Sequence, residues 1–68
     1  MQMTEMELLH TGEQLRSEAV AIAKFAASAR QTADPRLQQM YMRAAERHRN
    51  HYETILRQVQ NFAAHRQY

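Results

Sequence analysis

An all-α fold, built as an antiparallel two-helix hairpin, is predicted by three observations. The 68 residues hold a single glycine and a single proline, which leaves no material for the turns of a sandwich or barrel. That proline stands in Ala33-Asp34-Pro35, near the middle of the chain. On either side of it, apolar residues recur in alternating steps of three and four, the period of a buried helical stripe.

The punctuation sets the elements. Asp34 is suited to cap a helix, because its carboxylate accepts an amide that has no partner within the helix, and Pro35 fits the first helical position. Proline also disfavours helical geometry in the residue before it, so the preceding helix must end near 31–33. Helix one is predicted over about 4–32, the turn at 33–34, and helix two over about 35–65, as one domain spanning 1–68. Two capping boxes compete for the first start: Thr4-Glu5-Met6-Glu7 and Thr11-Gly12-Glu13-Gln14. The helix either begins at Thr4 or restarts around Gly12. A connection this short makes the two helices antiparallel neighbours.

In helix one the buried stripe reads Leu8, Thr11, Leu15, Glu18, Ile22, Phe25, Ala29. In helix two it reads Leu37, Tyr41, Ala44, His48, His51, Ile55, Gln58, Phe62, His65. Ionisable groups interrupt each stripe at its centre. In a hairpin turning at 33–34, residues whose numbers add to about 67 lie level, so Glu18 falls between His48 and His51. One layer therefore gathers a carboxylate and two imidazoles. A buried carboxylate is costly unless paired, so one reading is a hydrogen-bonded Glu–His network that fixes register. The other is a metal site, with Glu18, His48 and His51 as ligands to Zn, Fe or Mn. His10 and His65 lie toward the open end and read as surface residues, and Met3 and Met6 as cover for that end.

Size and composition add a requirement. A chain of about 60 residues buries only some 60% of its unfolded surface. With no cysteine, neither a disulfide nor a thiolate metal knuckle can compensate. Helix two also carries a second apolar stripe of Met40, Ala45, Tyr52, Leu56, Val59 and Ala63, so it must touch more than one neighbour. A homodimer of hairpins, closed as a four-helix bundle, is the expected solution.

Other function classes fare poorly. The chain has nine basic and seven acidic residues, a net charge of +2. Residues 4–32 are net −1 and residues 35–68 net +4, a complementarity that suits the two halves to pack. Glu46 and Glu53 alternate with Arg43, Arg49 and Arg57 at helical spacing, which reads as a self-paired surface (Arg43–Glu46, Arg49–Glu53, Glu53–Arg57) and not as a nucleic-acid patch. No apolar run approaches the ~20 residues of a membrane span, and no signal peptide is read, so a cytoplasmic protein is expected. Catalysis lacks a thiol, a phosphate loop or a context for Ser17 and Ser28, and no enzyme is expected.

Three segments carry a family resemblance: Glu18-Ala19-Val20-Ala21-Ile22-Ala23-Lys24-Phe25, Ala33-Asp34-Pro35-Arg36-Leu37, and His48-Arg49-Asn50-His51-Tyr52-Glu53-Thr54-Ile55. Across about residues 8–60 the chain resembles the spore coat protein F (CotF-like) family and, more distantly, ferritin-like and rubrerythrin-like bundles. Glu18 matches the helix-one carboxylate of that pattern, Phe25 its aromatic and His51 its motif histidine. His48 stands where ferritin-like proteins carry a bridging glutamate, which weakens a redox di-iron reading. The resemblance implies a ferritin-like bundle with a structural role in the spore coat, with other coat proteins as partners. A ferritin-like metal-binding protein or oxidoreductase is the alternative.

Overall fold

A computed structural model describes residues 3–65. It contains two helices, α1 (Glu5–Gln31) and α2 (Pro35–Ala64), packed against each other as a hairpin. Arg66, counted above in the basic half, lies outside the described residues.

Helix α1 starts at the first of the two competing caps. Thr4 is extended, its side chain accepts the Glu7 amide at 3.1 Å, and the Glu7 carboxylate accepts the Thr4 amide at 2.9 Å. This reciprocal pair satisfies two donors that have no helical partner. The second Thr–Gln sequence lies inside a helix already under way. Its Thr11 hydroxyl donates to the Glu7 carbonyl at 2.7 Å and does not cap anything. Gly12 is accommodated in the same continuous helix.

The turn needs no left-handed residue. Thr32, Ala33 and Asp34 join the helices, and no described residue has positive φ. The Asp34 amide donates to the Thr32 hydroxyl at 3.2 Å, and the Asp34 carboxylate accepts the Arg36 amide at 2.9 Å. Pro35 occupies the first helical position, where its missing N–H leaves nothing unsatisfied. A further tie crosses the turn: the Gln38 side-chain amide donates to the Ala29 carbonyl at 3.2 Å.

Packing follows the predicted stripes only in part: Ala45, of the second α2 stripe, is buried in the hairpin, whereas Leu8, His51, Gln58 and His65 of the first stripes are exposed. The buried apolar residues among those described are Ala29 and Ala45, at 6% and 5% exposure, with Thr11 as the buried polar residue. Leu15, Ile22, Phe25, Tyr41, Ile55 and Phe62 are half-buried, and no large side chain is fully enclosed. Leu37, placed in the stripe by its spacing, is exposed because it stands level with the last turn of α1, beyond which nothing covers it. The radius of gyration is 15.5 Å. A globular chain of this length would have about 11 Å. The molecule is a rod with principal extents of 54 × 16 × 12 Å. Among the described residues no helix is long and apolar enough to cross a membrane.

Candidate functional site

The antiparallel register brings the three interrupting residues together. Glu18 Oε1 lies 2.6 Å from His48 Nδ1, and Glu18 Oε2 lies 3.7 Å from His51 Nδ1. One carboxylate thus divides its two oxygens between two imidazoles that sit one turn apart on α2. One ligating atom from each of the three residues can be chosen so that all lie within 4.8 Å of one another. Burial decreases across the group: the side chain of Glu18 is 20% exposed and that of His51 58%. The carboxylate is therefore shielded in the groove while the second imidazole stands at its mouth.

An aromatic support holds the first imidazole. The Phe25 ring stacks on His48 with centroids 5.5 Å apart and planes 16° from parallel. Phe25 also meets Tyr41 at 6.3 Å, and His48 meets His51 edge-on at 6.1 Å. Phe25 was legible as a stripe residue, but not its face-on contact with His48. That contact depends on ring rotamers, which helical spacing does not encode.

The geometry distinguishes the two chemistries open to this layer. Two ligands of one tetrahedral ion, each about 2.0–2.2 Å from the metal, are separated by roughly 3.3 Å. The Glu18–His48 separation of 2.6 Å is shorter than that edge and matches a charge-assisted hydrogen bond. As it stands the layer holds one hydrogen bond, Glu18–His48, with His51 at ion-pair distance. To hold an ion, Glu18 would have to withdraw from His48 by a few tenths of an ångström, a movement available to a half-buried side chain.

The remaining candidates are dispersed. His10 and His65 are exposed, as their positions predicted, and His65 Nδ1 lies 2.7 Å from the Asn61 carbonyl of its own helix. On the charged face of α2, Arg49 pairs with Glu46 at 2.8 Å instead of with Glu53. The pair is i,i+3 and both side chains are exposed, and such pairs contribute only tenths of a kcal/mol. Ser17 is exposed and Ser28 half-buried. No family model, no curated protein and no solved structure matches the chain.

Proposed function

We propose that the protein is a non-enzymatic structural building block whose hairpins pair as a two-fold, ferritin-like four-helix bundle. The observation that carries this reading is the missing core. The hairpin exposes 5683 Å². A globular protein of its 8.0 kDa would expose about 4,500 Å². A globule of twice the mass exposes about 7,400 Å², so closing two hairpins to that surface buries about 4,000 Å² in total. That area falls in the range of obligate homodimers. Exposed Leu9, Val20, Met40 and Met42 supply apolar surface for it. Sedimentation equilibrium at micromolar concentration should return twice the chain mass, and a well-folded monomer there overturns the reading.

The coat assignment rests on the resemblance at Glu18, Phe25, Asp34-Pro35 and His51, and implies other coat proteins as partners. A fluorescently tagged chain followed through sporulation of its host should gather at the forespore surface. A uniform cytoplasmic signal would reject the coat role and leave self-association standing.

A second reading is favoured by the clustering of Glu18, His48 and His51: the bundle layer binds a divalent ion. Two imidazole nitrogens and a carboxylate suit Zn, Fe or Mn, and dimerisation would present the set twice. The 2.6 Å Glu18–His48 hydrogen bond supports the alternative, a Glu–His pairing that fixes register. Metal analysis of protein purified without a histidine tag decides between them. A stoichiometric ion lost in both Glu18→Gln and His51→Ala establishes the metal reading, whereas metal-free, normally folded protein rejects it. Because binding requires neutral imidazole, any such ion must be released on acidification.

A further inference from the structure

The first turns of α1 carry a second group of metal-ligating side chains, remote from the central layer. Met6 and His10 stand one turn apart on one face of α1, and Met3 lies just before its cap, Thr4. Met3, Met6, Glu7, His10 and Thr11 line a single open depression of about 410 Å³. Met6 is 74% exposed, so it covers nothing in the hairpin, and His10 beside it is exposed as well.

The oxygen donors of this depression are partly committed, with Glu7 Oε2 left over. The Glu7 carboxylate accepts the Thr4 amide at 2.9 Å, and the Thr11 hydroxyl donates to the Glu7 carbonyl at 2.7 Å. Beside that one oxygen stand two thioethers and one imidazole, so soft donors predominate. Thioethers select soft ions such as Cu(I) over magnesium, calcium or manganese. Methionine's unbranched, freely rotating chain lets the two sulfurs converge on the middle turn, beside His10.

We propose that Met3, Met6 and His10 form a binding site for one soft monovalent cation, of the Cu(I)/Ag(I) class. The positive end of the α1 dipole opposes any cation here, and opposes a monovalent one least. Glu5 and Glu7, both in the first turn, offset it. The two clusters then differ in kind: sulfur-rich and soft at the end of the rod, nitrogen and oxygen at its centre.

The test is a titration of the full chain with silver nitrate, followed by the methionine methyl resonances. Ag(I) serves because it shares the softness of Cu(I) without its redox chemistry. The Met3 and Met6 methyls should move and saturate at one ion per chain, while those of Met40 and Met42 stay in place. The double variant Met3→Leu, Met6→Leu keeps apolar volume and helix propensity, and should lose saturable binding at the site. His10→Gln should weaken the response at Met3 and Met6 at least about tenfold. In His48→Ala, His51→Ala the response should persist. Three results overturn the site: no methyl movement, equal movement at Met3, Met6, Met40 and Met42, or loss of the response when only the central histidines are removed.

Discussion

Glu18 Oε1 and His48 Nδ1 stand 2.6 Å apart across the hairpin, although 30 residues separate them along the chain. Glu18 is the shared partner of this layer, since its second oxygen faces His51 at the ion-pair distance of 3.7 Å. Removing it leaves two imidazoles without their partner. Glu18→Ala is expected to cost about 1–2 kcal/mol, the usual scale for a charge-assisted hydrogen bond in a half-buried site. For a domain of this size that lowers Tm by about 5–10 °C. Glu46→Ala breaks only the exposed pair with Arg49 and should stay within about 0.5 kcal/mol of the parent. Thermal unfolding of the two variants side by side checks the contrast, and equal losses would contradict it.

The Glu18–His48 pairing was readable from the sequence because two strong signals agree. Asp34-Pro35 fixes where the chain turns, and helices without internal breaks propagate that register along their full length. Phe25–Tyr41 and Ala29–Gln38 obey the same level rule as Glu18–His48. What could not be read depends on side-chain conformation or on competition between like signals. Phe25 reaches His48 off the level by a choice of rotamer. Thr4 and Thr11 offer the same capping pattern, and only the onset of the helix at Glu5 shows which one is used. Met3 and Met6 read from the sequence as cover for the open end, yet Met6 is 74% exposed. Spacing could not show this, because exposure depends on what covers the end of the rod.

Gly12 provides a test of the continuous α1. It sits inside the helix, and an added Cβ would meet only the end of the flexible Arg16 side chain, at 3.9 Å. Its φ is not positive, so alanine is not strained there. Gly12→Ala should therefore stabilise the protein by about 0.5–1 kcal/mol through a smaller loss of backbone entropy. Chemical denaturation should show a higher midpoint at unchanged slope. Destabilisation would mean that another surface approaches the bare backbone at Gly12.

Ala45 tests how closely the helices approach. It is the most buried apolar residue described, at 5% exposure, and with Ala29 it lines the groove on one side of the hairpin. A larger side chain must push α2 away from α1 or displace its neighbours. Ala45→Leu is expected to cost about 1–3 kcal/mol, although it adds apolar surface. Denaturant unfolding measures this directly, and a gain in stability would show that the groove has room to fill.

Acid should loosen the start of α1 through Glu7. Its carboxyl is held below the usual carboxylate range, first by the hydrogen bond from the Thr4 backbone amide and then by that from the Thr4 side chain. A group whose folded pKa is depressed contributes stability that is fully present above its unfolded pKa, near 4.5, and is lost as pH falls through the folded value. At neutral pH the cap is intact. Below about pH 4.5 it weakens progressively, and the first turn frays ahead of the rest of the hairpin. Amide exchange at Leu8, whose N–H donates to the Thr4 carbonyl at 2.9 Å, should accelerate over that interval, while exchange deep in α2 changes less. Glu7→Gln keeps the box geometry but cannot titrate, so its Leu8 exchange should lose this extra acid sensitivity. If the parent and the glutamine variant show the same pH profile, the capping carboxylate is not what secures the helix start.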